Sequence, residues 1–305
     1  MDPQVRVGSV ELSCAVMTAS GTSGHGTELG AYFDLSSIGA VVVKSMKVDP
    51  WAGNPAPRVH PVTGGMINSV GLQGEGIAHW RRSELPALES AGATVVASIW
   101  GRNVAEYAAA ARALGDLGAD VVAVEVNLSC PNLDGGAHLF AHDPVAAAEV
   151  IAATESCGRP RWAKLSANTD RVVEVAAAVA EAGAEAVTLV NTLMGMVIDV
   201  ENSTPVLGSG AAGGGLSGAA IHPVAVRTVF DVHAALPGLP IVGVGGIGDT
   251  RGAVEMMMAG ADAVQIGTAS FAEPRSVHMV RVGLEHWCGH RGIAAVRDLK
   301  GRAHG

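Results

Sequence analysis

The segments Pro240-Ile-Val-Gly-Val-Gly-Gly-Ile-Gly248 and Ala263-Val-Gln-Ile-Gly-Thr268 decide the fold. Each begins as a short, mainly apolar run and closes on a glycine-containing end, and a helical stretch lies between them. An apolar run without polar alternation reads as a strand covered on both faces. Gly243-Val-Gly-Gly-Ile-Gly248 also matches the GxGxxG dinucleotide fingerprint, with a strand before it and a helix after it. Its position argues against that reading. The fingerprint normally opens a nucleotide-binding fold, whereas here it follows the seventh of eight apolar runs. Paired glycine-rich ends on the last two strands of a barrel form a phosphate site instead, because backbone N–H groups from both loops can cradle one phosphate. Gly245, Gly246, Gly267 and Thr268 would line that site, and a side chain at Gly246 would block close approach. Two tight turns without a ligand are the simpler alternative.

Working outward, the same strand–loop–helix unit recurs. Strands are expected at 14–20, 40–44, 94–99, 120–126, 162–166, 186–191, 240–244 and 263–267. Asn103 with Glu106 three residues on reads as a capping-box-like helix start. Asp143 before Pro144 reads as a cap with proline at the first helical position. Segments 170–182 and 222–236 also read as helices. Eight such units predict a parallel (β/α)₈ TIM barrel, with an open doubly wound sheet as the alternative. No Ser/Pro-rich linker divides the chain, so residues 1–305 read as a single barrel domain. Residues 45–75 and 192–220 exceed the simple repeat. Both follow the C-terminal ends of strands, where barrels keep their active sites, and they read as lids or binding loops.

Composition narrows the class. The chain has 305 residues, 49% hydrophobic and 16% charged, which suits a large buried core. A formal net charge of −9 offers no basic patch for nucleic acid. No apolar run of about 18 residues is present, and residues 1–12 lack the pattern of a secretory signal, so a soluble cytoplasmic protein without membrane contact is expected. The cysteines Cys14, Cys130, Cys157 and Cys288 form no CxxC pair. That pattern argues against a disulfide framework and against an iron–sulfur cluster held by this chain. His278, His286, Cys288 and His290 cluster near the C-terminus, but they read as an exposed terminal helix and tail rather than a metal site.

The segment with most chemical content is Asn127-Leu-Ser-Cys-Pro-Asn132, ahead of Gly135-Gly136. A cysteine flanked by asparagines before a Gly-Gly loop suits a mobile lid carrying a base. The amides can bind a planar ring with imide-like donors and acceptors. The plainer alternative is a buried structural cysteine, which a polar loop disfavours. Lys44 and Lys164 end or interrupt apolar strands. Lysine is rarely buried unless paired, so an anionic ligand or a carboxylate partner is implied. A lysine reaching out to solvent is the simpler account, and it fits Lys44 better than Lys164. The glycine-rich run 213–218 could touch a ligand or simply be flexible.

Taken together, Asn68-Ser-Val-Gly-Leu-Gln73, Asn127-Leu-Ser-Cys-Pro-Asn132, Asn191-Thr-Leu-Met-Gly-Met196 and Gly214-Gly-Leu-Ser-Gly218 resemble the dihydroorotate dehydrogenase family, specifically its class 1B catalytic subunits. The likeness spans roughly Val7 to Phe271. It implies an FMN-dependent oxidoreductase converting dihydroorotate to orotate in pyrimidine biosynthesis, with Cys130 removing the C5 proton and hydride passing from C6 to flavin N5. The flavin-contact positions it implies are Ala19, Ser20, Lys44, Ser45, Asn127 and Lys164, with Gly218, Gly245, Gly246, Gly267 and Thr268 on the phosphate side. The orotate positions are Lys44, Asn68, Gly71, Leu72, Asn127, Asn132, Asn191 and Thr192. Lys164 matches the lysine beside flavin N1/O2.

Class 1B membership further implies a homodimer and an electron-transfer partner holding FAD and a 2Fe–2S cluster that passes electrons to NAD. The fumarate-using class 1A typically has serine at the Thr192 position, and class 2 typically uses a serine base. Departures from the family pattern occur at Ser98, usually asparagine, at Thr22-Ser23-Gly24, at Ser166-Ala167-Asn168 and at Phe140-Ala141. Competing readings are a flavin barrel acting on another dihydropyrimidine, a flavin-free phosphate-binding lyase or isomerase, and a non-catalytic flavin subunit.

Overall fold

The computed structural model describes residues 1–129 and 140–305. Eight parallel strands lie where the apolar runs predict them. They are β1 (Val16–Thr18), β2 (Val41–Val42), β3 (Val95–Ile99), β4 (Val121–Asn127), β5 (Arg161–Lys164), β6 (Ala186–Leu189), β7 (Ile241–Val244) and β8 (Ala263–Ile266). Seven parallel ladders join them in the spatial order β1-β8-β7-β6-β5-β4-β3-β2. The remaining seam, between β1 and β2, carries a parallel bridge from Met17 to Ala40. The Thr18 hydroxyl reinforces it by accepting from the Val42 N–H at 2.8 Å. The sheet is therefore a (β/α)₈ barrel rather than an open doubly wound sheet.

Nearly every strand residue is buried, as continuous apolar runs require. Helices cover the outer face, and their starts follow the local sequence. Asp143 accepts from the Val145 N–H at 2.9 Å ahead of helix Pro144–Ala153. Asn103 accepts from the Glu106 N–H at 2.9 Å. The reciprocal half of that box is displaced by one residue: the Glu106 carboxylate accepts from the Arg102 N–H at 3.0 Å. Helix Ser276–His290 is not the exposed terminal helix expected, because Val277, Val280, Leu284 and Cys288 bury one face against the barrel.

The two long segments expected as lids or binding loops line the cavity and are partly ordered as strands. Together they build one antiparallel sheet, in the order Leu193–Gly195, Gly214–Ser217, Gly65–Asn68, Val59–Val62. The glycine-rich run 213–218 supplies a central strand of it instead of a flexible loop. Small residues are required there, since a Cβ at Gly215 would collide with the Thr192 side chain. Among the described residues no helix is long and apolar enough to cross a membrane.

Packing of β7 against its helix Thr250–Met258 depends on another glycine. A Cβ at Gly243 would run into Met256 Cγ and stand 3.0 Å from Ala261 Cβ. Gly243→Val should therefore lower stability by about 1–3 kcal/mol through overpacking, read as a fall in the urea unfolding midpoint. An unchanged midpoint would show that this interface can expand freely.

Candidate active site

A cavity opens at the C-terminal ends of the strands, beneath the antiparallel sheet. Every described position expected from the sequence lines it. Ala19 and Ser20 come from the end of β1, Lys44 and Ser45 from β2, and Asn127 and Lys164 from β4 and β5. Asn191 and Thr192 follow β6, while Asn68, Gly71 and Leu72 come down from the sheet above. Gly218, Gly245, Gly246, Gly267 and Thr268 form one wall. Cys130 and Asn132 lie outside the described residues.

The side chains are held by one another. Ser45 Oγ lies 2.8 Å from Ser98 Oγ and 3.2 Å from Ser20 Oγ. Asn127 Nδ2 donates to Ser45 Oγ at 3.1 Å, and its Oδ1 accepts from both the N–H and the hydroxyl of Ser129 at 3.3 Å. Asn191 Nδ2 donates to Ser129 Oγ at 3.0 Å, and its Oδ1 accepts from the Thr192 N–H at 2.8 Å. Ser98, the departure from the expected asparagine, is thus fully buried and anchors Ser45. Asn168, after Ala167, donates to the Thr192 carbonyl and accepts from the Met194 N–H, tying the cavity to the sheet above.

Charge is one-sided. Among the described lining residues there are two lysines and no carboxylate. The counter-charge of Lys164 stands behind it: Glu125 Oε1 lies 3.4 Å from Lys164 Nζ, with both side chains buried. Glu125 Oε2 accepts from Thr188 Oγ1 at 3.1 Å and from Gln265 Nε2 at 2.9 Å. β4 and β8 are not neighbours in the sheet, so the Gln265 bond crosses the barrel interior. Sequence reading missed Glu125, although a lone carboxylate inside Val121-Val-Ala-Val-Glu-Val126 carries the same signal that singled out Lys164.

The glycine wall needs one correction. A Cβ at Gly246, with φ +68°, would meet the Gly218 carbonyl oxygen at 2.6 Å and His222 Cβ at 2.7 Å. A Cβ at Gly218, φ +96°, would stand 2.5 Å from Gly65 Cα. These glycines let three loops touch one another, so a side chain at Gly246 would first break loop packing rather than obstruct a ligand. The wall they leave is nearly bare backbone, with Thr268 Oγ1 donating to Ser217 Oγ at 2.8 Å. That surface fits a phosphate, and Lys164 at the floor fits an anionic ring edge, so the residues present suit a phosphorylated planar cofactor.

The other described cysteines are not candidates for proton transfer. Cys14, Cys157 and Cys288 are buried, and burial raises each thiol above its ordinary pKa. No metal-ligating group of three or more His, Cys, Asp or Glu occurs among the described residues, the C-terminal histidines included.

Fold and cavity together define a (β/α)₈ barrel with a polar, cationic ligand site at its strand ends. The family model for dihydroorotate dehydrogenase matches residues 4–287. The chain is 43% identical to "Dihydroorotate dehydrogenase B (NAD(+)), catalytic subunit" of Geotalea uraniireducens (strain Rf4), over 98% of this chain and 97% of that protein. It is 44% identical to the like-named protein of Trichlorobacter lovleyi, over 99% of this chain and 98% of the relative. Geobacter sp. (strain M21) has another, 44% identical over 98% and 97%. The chain belongs to the dihydroorotate dehydrogenase family and is an oxidoreductase.

The Glu125–Lys164 pair is open to a direct test. Glu125→Ala leaves a buried ammonium without its counter-ion and should cost about 3–5 kcal/mol. The double variant Glu125→Ala/Lys164→Met should recover part of that loss, because no charge is stranded. Urea unfolding of both proteins measures it. Equal destabilisation of the single and double variants would show that the pair is not coupled.

Proposed function

We propose that this chain oxidises dihydroorotate to orotate, as one FMN-binding barrel domain acting in pyrimidine biosynthesis. The observation that carries the reading is the convergence of Lys44, Asn68, Asn127, Asn191 and Lys164 on one cavity with no carboxylate among its described lining residues. Dihydroorotate is an anionic, imide-bearing ring. Asparagine amides offer both donors and acceptors to such a ring, and a lysine offers charge to its carboxylate.

Lys44, Asn68, Gly71, Leu72, Asn127, Asn132, Asn191 and Thr192 are the substrate positions in this reading. Ala19, Ser20, Lys44, Ser45, Asn127 and Lys164 would hold the flavin ring, and Gly218, Gly245, Gly246, Gly267 and Thr268 its phosphate end. When bound, FMN supplies the acceptor for the hydride that leaves C6. The C5 proton of dihydroorotate is α to the C4 carbonyl, so a modest base can remove it, and Cys130 is assigned that role. Cysteine's ordinary pKa of about 8.5 requires a thiolate fraction in the closed site. The asparagines keep the ring in register, which lowers the barrier through positioning. Lys164 offsets negative charge at the cavity floor.

Cys130→Ala should keep FMN and orotate binding yet slow flavin reduction by dihydroorotate by about 10²–10⁴-fold, the usual contribution of a positioned base. Cys130→Ser should retain a small activity shifted to alkaline pH. Stopped-flow reduction of Cys130→Ala at the wild-type rate would remove this cysteine from the mechanism.

Electrons are proposed to leave through a separate subunit carrying FAD and a 2Fe–2S cluster, which reduces NAD in the cytoplasm, with the catalytic chain itself a homodimer. Relatives named as NAD(+)-linked catalytic subunits support the separate partner and the link to NAD. The purified chain should therefore reduce artificial dyes but not NAD until the partner is added. Efficient NAD reduction by the homogeneous chain with FMN alone would overturn the partner assignment.

A further inference from the structure

The segment that descends from the upper sheet to the cavity, Asn68 to Leu72, is held in an unusual backbone conformation. Gly71 has φ +71° and Leu72 has φ +60°, so two consecutive residues are left-handed. Leu72 is a buried leucine at positive φ, which is costly and persists only where neighbours over-determine it. Asn54 supplies part of that hold, its backbone N–H donating to the Val70 carbonyl at 3.1 Å, and the rest comes from one residue that does not line the cavity, Trp51. Its indole Nε1 donates to the Gly71 carbonyl at 2.9 Å. Its backbone N–H donates to the Gly74 carbonyl at 2.8 Å, and its own carbonyl accepts from the Gly74 N–H at 3.0 Å. Trp51 therefore fastens the Gly71–Gly74 turn at both ends.

The ring itself is pinned from several sides. Trp100, fully buried, meets it edge to face with centroids 5.9 Å apart. Lys47 Nζ lies 5.0 Å from its centroid, and the Arg102 guanidinium lies 5.3 Å away. Arg102 is in turn paired with Glu106 at 2.9 Å. Cation–π contacts and an edge-to-face partner hold an indole in one orientation, so its N–H points at a fixed place.

We infer that Trp51 is a positioning residue for substrate: its indole N–H sets the backbone of Gly71 and Leu72 and thereby shapes the side of the cavity that faces the anionic ring. The inference rests on the proposed assignment of Asn68–Leu72 to the substrate. It predicts an effect on binding of that ring and none on the cofactor or on proton removal once the site is filled.

Trp51→Phe keeps an aromatic ring among Trp100, Lys47 and Arg102 and removes only the N–H. Orotate affinity, read by calorimetry on the FMN-loaded protein, should weaken about 2- to 10-fold, the range that one net hydrogen bond supports. In stopped-flow reduction the half-saturating dihydroorotate concentration should rise by a similar factor. The limiting rate and FMN content should stay near wild type, a split that general destabilisation would not produce. Trp51→Phe with unchanged orotate affinity, or with an equal fall in limiting rate, overturns the inference. Asn68→Ala separates it from the reading beneath it. If Asn68→Ala loses orotate binding while Trp51→Phe does not, Trp51 alone is wrongly assigned. If neither variant alters binding, both the substrate assignment of this segment and the inference fail.

Discussion

A carboxylate inside the barrel, Glu125, is the constraint on which the floor of the site depends. An ionised group cannot be taken out of water without compensation, because its desolvation costs several kcal/mol. Here compensation comes from Lys164 on β5, Thr188 on β6 and Gln265 on β8, so one side chain links four strands across the interior. Lys164 then faces two ways. It satisfies Glu125 on the core side and lines the cavity on the other. A lysine without such a counter-charge would be costly at that depth, and one at the surface could not supply a cation to the cavity floor.

The roof is governed by backbone hydrogen bonding rather than charge. Two long segments leave the barrel after β2 and β6, and neither could bury its N–H and C=O groups alone. They satisfy one another by sharing a four-stranded sheet. The register of that sheet decides where Asn68 stands, since Asn68 pairs with Gly215 and its side chain donates to the Gly215 carbonyl at 3.2 Å. The glycines of the run 214–218 allow this strand to pass close to Thr192 and Gly65. Roof and phosphate wall are thus parts of one packing arrangement, because Gly218 touches both Gly65 and the Gly246 loop.

Between floor and roof, hydroxyls and amides fix each other's directions. Ser98 in place of an asparagine does not leave a gap. It supports Ser45, which supports Asn127, and Ser129 joins Asn127 to Asn191. Such a network specifies orientation because each buried polar atom is expensive to leave unpaired. The pairing accounts for amides that stay aligned before any ligand arrives, the condition under which positioning aids a reaction.

The barrel was legible in the sequence because strands buried on both faces write themselves as continuous apolar runs; six of the eight lie within their expected spans, and β4 and β5 each overrun theirs by one residue. The helix caps at Asn103 and Asp143 were legible for the same local reason: a side-chain oxygen within reach of the first free N–H groups. The lysines, asparagines and glycines of the cavity stood out by residue type, since each is anomalous in an apolar or tightly turned setting. What the sequence could not determine was which distant groups meet. Asn68 and Gly215 are 147 residues apart, and only closure of the barrel brings their segments alongside. The partners of Glu125, the direction a side chain would take from Gly246, and the grip of Trp51 on Gly71 follow from that same closure. Local periodicity records whether a position is buried; the tertiary structure decides what it is buried against.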